Sequence, residues 1–454
     1  MEMAILKNLS TKSENTALPE HILFISYYFP PMGGGGVQRI TKFLKYWDMA
    51  AARLSVLTVK SSYYYTYDES LCTEIPPQVR VYRSGSLDPF RIWYLLGKLR
   101  RFFSDAGNGG NGRESAGWMR RSALSIFIPD SRIFWLPFAL VKLWKIHRRC
   151  PIDLVVATMP PYTAGLIGAL AKKWLNIRLC LDYRDAWNCN PYLPGGNPVH
   201  RDTNKWLERK CLGLADGIVF VNPVLERFYC GHYPGIGNKP HQTIRNGWDP
   251  EDFVSVNTRS PKGGGEKFTI GILGTVYSHG NRPLTLVRAF SEMIREDASL
   301  AKRMKIVFLG KWAPEFRTTV ESLRLNGAVE FATYLPHKKA LRAAGRFDVL
   351  ALALECGRPG CDMVTPGRIY EYLRLQRPVL AVCPENGDLA NLVRECQAGE
   401  IVEDEDVART KSILRQWLEN RENIHCAYSF KNIDSFNRRE QTRTFRKFLA
   451  QLTA

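Results

Sequence analysis

The feature that most constrains the fold of this chain is the alternation of short apolar runs with helix-like segments along both halves of its length. In the first half, β-prone apolar runs at residues 21–28, 54–59, 152–158 and 178–182 are separated by segments with apolar residues at helical spacing. The alternation restarts at residue 268. Repeated strand–helix units form parallel sheets that helices cover on both faces. The sequence therefore predicts an α/β protein with two Rossmann-like parallel-sheet domains that face each other across a cleft.

Composition divides the chain into five parts. Residues 1–20 are polar and are predicted to be disordered, residues 21–254 form the first domain, and residues 267–430 form the second. Residues 255–266 are rich in Gly, Pro and Ser and are predicted to be the linker between the domains. Residues 431–454 are predicted to contain a final helix. A length of 454 residues also exceeds what one hydrophobic core usually serves.

The unusual global property is a net charge of +19, which attracts polyanions such as anionic lipid or phosphorylated substrates. The excess is concentrated in residues 91–149 and 438–447. Residues 91–103 mix aromatic and cationic side chains, a composition typical of a helix at a membrane interface. A solvated helix that packs its aromatic residues on the core fits this composition equally well. No nucleic-acid motif accompanies the charge, so we expect no nucleic-acid partner.

The sequence lacks the patterns of export, membrane insertion and metal binding. No stretch reaches the roughly 18 to 20 uninterrupted apolar residues of a spanning helix, and the N-terminal residues lack the apolar core of a signal peptide. The eleven cysteines form neither a Cys-x-x-Cys pair nor a Cys/His cluster at zinc spacing. We therefore expect a cytoplasmic protein with reduced thiols, associated at most peripherally with the inner face of the membrane, and with neither metal nor cofactor.

A run of four glycines follows the first predicted strand and opens a helix. It does not have the spacing of the dinucleotide-binding fingerprint. We predict that Gly34, Gly35 and Gly36 let a ligand approach bare backbone, where the amides at the start of the helix attract an anion. A tight turn is the alternative interpretation.

A charged group follows the predicted strand at residues 178–182, at the edge that faces the cleft. It consists of Asp182, Arg184 and Asp185. Two carboxylates beside an arginine are costly to bury, which favours a functional role such as orienting sugar hydroxyls or holding an acceptor. A structural ion pair is the alternative.

The second half contains a helix start with anion-binding features. Thr365 is predicted to be the N-cap, with Pro366 at the first helical position and Gly367 beside it. The amides of this first turn could receive a diphosphate, to which Arg368 adds positive charge. Glu371, about one turn into the helix, is placed to accept hydrogen bonds from ribose hydroxyls, unless it is an exposed helix residue.

Two further candidates lie near the first strand of the second domain. Gly274 ends this strand at the cleft edge, and Arg282 opens the next helix. We predict that Arg282 contributes charge to the diphosphate site, although a surface arginine would look the same.

Six stretches occur along the chain in a fixed order. They are Phe29-Pro30-Pro31 through Gln38-Arg39, Asp153 with Thr158-x-Pro160-Pro161, Asp182-Tyr183-Arg184-Asp185-x-Trp187, Ile244-x-Asn246-Gly247-x-Asp249, Gly271-x-x-Gly274, and Pro366-Gly367-Arg368-x-x-Glu371-Tyr372-Leu373. Together they resemble the retaining glycosyltransferases of family 4, which have the GT-B fold, and especially those that build bacterial O-antigen, capsule and exopolysaccharide. The likeness extends from residue 21 to the tail.

The resemblance implies a retaining transfer of a sugar from a nucleotide diphosphate sugar, which is a co-substrate, to a glycan or lipid-linked acceptor. It implies that the first domain binds the acceptor, the second binds the donor, and the final helix crosses back onto the first domain. Leaving-group stabilisation would come from helix amides and arginines, without a metal.

The resemblance also assigns roles to individual residues. Glu371 matches the second glutamate of the family's Glu-x7-Glu motif, which binds the donor ribose, whereas Met363 stands where the first glutamate would be. The glycine run matches the loop near the donor phosphates and acceptor. Arg184 or Asp185 stands near the position of a histidine that the family often has, and Arg282 with Arg368 loosely represents the family's basic pair on the diphosphate.

Two other classes of protein fit the same plan. A nucleotide-sugar 2-epimerase would act on the donor alone and would need no lipid or glycan acceptor. The basic, aromatic residues 91–149 therefore favour a transferase that works beside a membrane. A non-catalytic scaffold that retains only nucleotide affinity is the second alternative, which Met363 permits.

Overall fold

The computed structural model describes residues 19–60, 67–87, 127–192, 197–254, 256, 266–276, 281–325, 327–355 and 357–453. Of the predicted linker, only residues 256 and 266 fall within these ranges, and of the predicted disordered segment only residues 19 and 20. The aromatic and basic residues 91–103 lie outside them.

In the described ranges the first domain contains a sheet of seven parallel strands. They are β1 (His21–Ile25), β2 (Arg53–Val59), β3 (Arg80–Ser84), β4 (Leu154–Met159), β5 (Arg178–Tyr183), β6 (Gly217–Phe220) and β7 (His241–Thr243). Their order is β3-β2-β1-β4-β5-β6-β7. The strand order reverses direction beside β1, and the crevice at the carboxyl ends of β1 and β4 is therefore a topological switch point, where α/β sheets bind ligands.

The second domain repeats this plan with six parallel strands among its described residues. They are β8 (Phe268–Val276), β9 (Met304–Trp312), β10 (Val329–Ala332), β11 (Val349–Ala353), β12 (Val379–Val382) and β13 (Gly399–Val402). Their order, β10-β9-β8-β11-β12-β13, places the switch point between β8 and β11. The prediction of an α/β protein with two parallel-sheet domains is confirmed.

Helices connect the strands and cover both faces of each sheet. Those described in the first domain are α1 (Gly35–Lys45), α2 (Leu136–Arg149), α3 (Thr163–Leu175), α4 (Pro198–Leu214) and α5 (Pro223–His232). Those that follow are α6 (Leu284–Glu296), α7 (Leu300–Arg303), α8 (Pro314–Ser322), α9 (His337–Ala344), α10 (Arg368–Leu375), α11 (Asp388–Cys396), α12 (Val407–Glu419) and α13 (Arg438–Gln451). No helix in the described ranges combines the length and apolar character that crossing a bilayer requires.

Alternate residues of β1 point into two different cores, as the two-residue period of a strand requires. Leu23 and Ile25 belong to one core, on the side of α2 and α3. Ile22 and Phe24 belong to the other, with side chains from α1 and α13. Because both faces are buried, the strand is a continuous apolar run, which is the pattern that made it recognisable in the sequence.

The last helix, α13, packs against α1 of the first domain. The rings of Phe445 and Phe43 lie 4.7 Å apart between centroids. At the start of α13 the backbone N–H of Arg438 donates to the carbonyl of Trp248 at 3.0 Å. The chain therefore returns from the second domain beside the segment through which it left the first.

Candidate functional site

The glycine loop follows β1 and is held by a partly buried arginine. Gly34 caps α1 with φ of 100°, which favours glycine. The Gly36 carbonyl accepts a hydrogen bond from Nη1 of Arg184 at 2.5 Å. A Cβ atom at Gly36 would lie 2.6 Å from the same nitrogen, whereas one at Gly35 would meet nothing within 4 Å. Gly34 and Gly36 are therefore required by the backbone turn and by the approach of Arg184.

Arg184 binds the backbone of two other segments at this edge. Besides Gly36, its guanidinium donates to the carbonyls of Met159, at 3.2 Å, and Pro160. Burial lowers the pKa of Arg184, and the charge of Asp185 opposes this shift. The cation that the sequence suggested for a ligand therefore binds backbone carbonyls at the start of α1 and at the end of β4.

Asp182 lies in the core beneath the edge, with no exposed surface. Its Oδ1 atom is 2.8 Å from Nη2 of Arg39, and Nε of Arg39 donates to both carboxylate oxygens at 3.2 and 3.1 Å. Thr158 donates to Oδ2 at 2.9 Å. This geometry corrects the expectation that Asp182 contacts a sugar or acceptor: it is a structural partner of Arg39.

Asp185 differs from Asp182 and Arg184 because its carboxyl group has no ion-pair or hydrogen-bond partner among the residues that the structure describes. It is partly buried, and the residues described by the structure provide no hydrogen-bond donor to it. Burial raises the pKa of Asp185, and only the nearby charge of Arg184 opposes this rise. A carboxyl group with these properties is available to a hydroxyl of a bound ligand.

In the second domain the helix that was predicted to bind an anion starts later than expected. The helix α10 begins at Arg368, and Gly367 precedes it without a side-chain cap. The Thr365 hydroxyl donates instead to Asp388. The prediction that Thr365 is the N-cap is therefore wrong, because its hydroxyl is directed toward α11.

Arg368 and Gly274 meet at the carboxyl end of β8. Nη1 of Arg368 donates to the carbonyl of Leu273. Gly274 has φ of +96°, and a Cβ atom there would lie 3.1 Å from the same nitrogen. The arginine is thus fixed to the end of the strand.

Arg282 pairs with Glu355, which was not predicted as a site residue from the sequence. Nε of Arg282 donates to Oε1 of Glu355 at 3.2 Å, and Nη2 donates to the same oxygen. Glu355 follows β11, at the same edge of the sheet, and both side chains are partly exposed. The position of Glu355 just after a buried strand is the sequence signal that could have indicated a site residue.

Glu371 lies in the first turn of α10 and interacts with His337, which begins α9. The Nε2 atom of His337 is 2.8 Å from Oε1 of Glu371. His337 was not predicted as a site residue from the sequence. It follows β10 at the carboxyl edge, and this position could have indicated a site residue.

The edges of the two domains are in contact. The Asn222 side chain donates to the carbonyl of Met363 at 2.8 Å, and Tyr192 donates to Asn281 at 3.0 Å. A Cβ atom at Gly360 would lie 1.8 Å from the carbonyl oxygen of Cys189. Residues that follow β5 and β6 therefore lie directly against the loop that leads to α10.

Three carboxylates near the domain junction are close enough to hold a cation. Glu74, Asp249 and Asp252 form this group. The Lys42 ammonium lies 2.6 Å from Glu74 and 2.5 Å from Asp249, and Lys45 lies 2.8 Å from Asp249. The lysines hold the pKa of Asp249 below its usual range against the opposing effect of burial. They therefore already supply the positive charge that this group requires.

A cavity of about 620 Å³ lies elsewhere, lined among others by Glu20, Asp153 and Arg178. These residues lie at the amino ends of β1, β4 and β5. Parallel α/β sheets bind ligands at the opposite, carboxyl edge. The contacts between the domains therefore locate the candidate site better than cavity size does.

Comparisons with known proteins indicate the class of protein to which this chain is similar. Residues 101–252 match the family model described as Glycosyltransferase Family 4. No curated protein matches the chain. Solved structures with a similar fold include sucrose-phosphate synthase from Thermosynechococcus elongatus, with 15% identity, a TM-score of 0.64 and coverage of 95% of this chain and 99% of that one.

Two other solved structures also have a similar fold. HepE from Anabaena in complex with UDP-glucose has 14% identity, a TM-score of 0.59 and coverage of 95% of this chain and 98% of that one. WaaG, a glycosyltransferase involved in lipopolysaccharide biosynthesis, has 13% identity, a TM-score of 0.54 and coverage of 94% and 98%.

The two facing parallel-sheet domains and these neighbours define the GT-B fold. With the family match, they make the chain a glycosyltransferase. They also support the family 4 assignment expected from the sequence.

Proposed function

We propose that the protein is a retaining glycosyltransferase that moves a sugar from a nucleoside diphosphate sugar to a lipid-linked glycan acceptor in polysaccharide biosynthesis. The observation that carries the proposal is the meeting of two carboxyl edges. One edge has the carboxyl group of Asp185, which lacks a partner among the described residues, and the other has Arg368 and Glu371 at the start of α10. The similar HepE structure contains UDP-glucose, which supports a nucleotide sugar as the donor.

The second domain would bind the donor. The amides at the start of α10 would receive the diphosphate, with Arg368 and Arg282 adding positive charge. Glu371 would accept hydrogen bonds from the ribose hydroxyls. Charge that develops on the departing diphosphate is stabilised by such donors when they are fixed before the reaction. Retention at the anomeric carbon follows from the resemblance to retaining enzymes.

The first domain would bind the acceptor. Gly35 provides bare backbone beside the start of α1, because a Cβ atom there would meet nothing within 4 Å. Asp185 would hold an acceptor hydroxyl, since its carboxyl group lacks a donor among the described residues. Arg184 would fix the glycine loop beside it.

A lipid-linked acceptor requires access to a membrane surface, and α2 has a suitable outward face. Phe138, Val141 and Trp144 are 38%, 54% and 44% exposed. The Arg148 guanidinium lies 5.0 Å from the ring centroid of Trp144. An exposed face that combines aromatic and cationic side chains suits the interface of an anionic membrane. We place the enzyme peripherally on the inner face of the cytoplasmic membrane.

A transfer assay tests the proposal. The protein is incubated with labelled nucleotide sugars and with lipid acceptors extracted from membranes. Label recovered on lipid, with the donor's anomeric configuration retained by NMR, is the expected result. A changed sugar without transfer would indicate a 2-epimerase, and binding without turnover would indicate a scaffold; either result contradicts the proposal.

A further inference from the structure

Glu371, the residue proposed to bind the donor ribose, belongs to a chain of charged groups. Its partner His337 contacts it through Nε2 at 2.8 Å. The other ring nitrogen, Nδ1, lies 3.6 Å from Oδ2 of Asp252. The imidazole therefore bridges two carboxylates, one on α10 and the other in the segment that leaves the first domain.

The chain continues into the first domain. Asp252 lies 3.5 Å from the Nζ atom of Lys42, which is buried on α1. Lys42 also binds Asp249 at 2.5 Å. Because α1 opens with the glycine loop, the ionic contacts run from the helix beside one edge of the cleft to Glu371 at the other.

The contacts favour the charged form of His337. Burial alone would lower its pKa, but the charge of Glu371, its hydrogen bond and the charge of Asp252 raise the pKa of His337 to about 9. Two lysines are also near: Lys42 opposes the rise, and Lys338 lies 4.0 Å from Oδ1 of Asp252. An imidazolium donates from both nitrogens, which matches a carboxylate on each side.

We propose that His337 is a positioning residue of the donor site. It holds Oε1 of Glu371 so that Oε2 is presented to the ribose hydroxyls, and through Asp252 and Lys42 it links this carboxylate to the glycine-loop helix. The inference rests on the proposed function, because it takes Glu371 to be the ribose-binding residue. It adds a determinant of nucleotide affinity that lies outside the helix carrying Glu371.

His337 would increase nucleotide affinity by preorganising the Glu371 side chain. A glutamate side chain loses rotamer freedom when a ligand fixes it, and a partner that fixes it beforehand reduces this loss. The Oε1 atom already has its donor in His337. No residue in the described part of the chain donates to Oε2.

The test compares His337→Ala, His337→Gln and Glu371→Ala with the wild type by calorimetry. The probes are UDP, GDP and ADP, of which the one that the wild type binds most tightly is used, together with its 2′,3′-dideoxy analogue. We expect His337→Ala to weaken binding of the ribonucleotide about tenfold, the effect of losing one charge-assisted hydrogen bond. Binding of the dideoxy analogue should not change, since it offers no hydroxyl to Glu371. Lys339→Ala, at an exposed position of the same helix, is the matched control and should behave as the wild type.

The glutamine variant provides a rescue that a purely structural role would not give. Its amide can donate to Glu371, so ribonucleotide affinity should stay within about threefold of the wild type at pH 7.5. As the pH rises through about 9, the wild type should lose affinity relative to His337→Gln because its imidazole loses charge. Thermal melting checks the folding of each variant, and if His337→Ala does not fold, the pH comparison with His337→Gln decides.

The two possible failures are distinguishable. If Glu371→Ala weakens ribonucleotide binding but His337→Ala does not, the inference about His337 is wrong and the proposed function stands. If Glu371→Ala binds the ribonucleotide as tightly as the wild type, Glu371 is not in the site and both are overturned. Equal loss of ribonucleotide and dideoxy binding in His337→Ala also contradicts the inference.

Discussion

Arg39 on α1 and Asp182 on β5 form a buried ion pair, with Nη2 of the arginine 2.8 Å from Oδ1 of the aspartate. Their side chains are 1% and 0% exposed. The pair fastens the helix that follows the glycine loop to the strand that precedes Arg184 and Asp185. The ion pair therefore sets the position of the glycine loop relative to Arg184 and Asp185, although both of its members are buried in the core below the cleft.

Removing one partner of this pair should destabilise the protein. Asp182→Ala leaves the Arg39 guanidinium charged and buried, and we expect a loss of about 3–5 kcal/mol in the free energy of unfolding, measured by urea denaturation. The control is Asp48→Ala, which removes a carboxylate that is 54% exposed and lies 3.3 Å from Arg446, and should cost at most about 1 kcal/mol. Similar small losses in both variants, with transfer abolished only in Asp182→Ala, would show that Asp182 acts directly in catalysis.

Asp185→Asn should abolish transfer without destabilising the protein. Burial raises the folded pKa of Asp185 above its unfolded value, so the native state binds a proton more readily than the unfolded state does. The carboxyl group therefore reduces stability as the pH rises through the unfolded pKa toward the folded one, and the penalty is complete above both. At neutral pH the asparagine variant should melt at the same temperature as the wild type or higher. A lower melting temperature that accompanies the loss of activity would assign a structural role to Asp185.

Gly360 should be required for the domain edges to approach. It has φ of +87°, and a Cβ atom there would lie 1.8 Å from the Cys189 carbonyl oxygen of the other domain. Gly357 has φ of +90° and nothing within 4 Å of a Cβ atom. Both alanine variants incur similar backbone strain, about 1–2 kcal/mol, but only Gly360→Ala crowds the opposite domain. We expect Gly360→Ala to lower kcat and increase the radius of gyration by solution scattering while Gly357→Ala does neither; identical behaviour would contradict this account.

The outward face of α2 should contribute to membrane binding. Trp144→Ser with Arg148→Gln should weaken sedimentation with phosphatidylglycerol vesicles about tenfold, because an interfacial aromatic and a cation are both lost. The matched control is Tyr334→Ser with Arg317→Gln, which removes a similar exposed aromatic and one charge from the second domain. Equal binding by the two double variants would exclude α2 as the contact.

The fold was largely predictable because its signals are local. The apolar run at residues 379–382 coincides with β12. The first strand was predicted to reach residue 28 but ends at Ile25, since Tyr27 and Phe29 are buried as loop residues and prolong the apolar run beyond the ladder. The helix α5 was not predicted, although Asn222 caps it and Pro223 occupies its first position.

The site was less predictable because its contacts join distant parts of the chain. Asp182 is 143 residues from Arg39, and nothing local to Asp182 distinguishes a buried structural carboxylate from a catalytic one. Glu371 is 34 residues from His337. The sequence could place these residues at a sheet edge, but the pairing partners decide which of them are available to a ligand.

The central claim is that the cleft binds a nucleoside diphosphate through the start of α10 and Glu371. Calorimetric titration of the wild type and Glu371→Ala with UDP, GDP and ADP tests it most directly. We predict that the wild type binds at least one of these nucleotides and that Glu371→Ala binds it at least about tenfold more weakly, with an unchanged melting temperature. Equal affinity of the two proteins, or no binding by the wild type, would contradict the account.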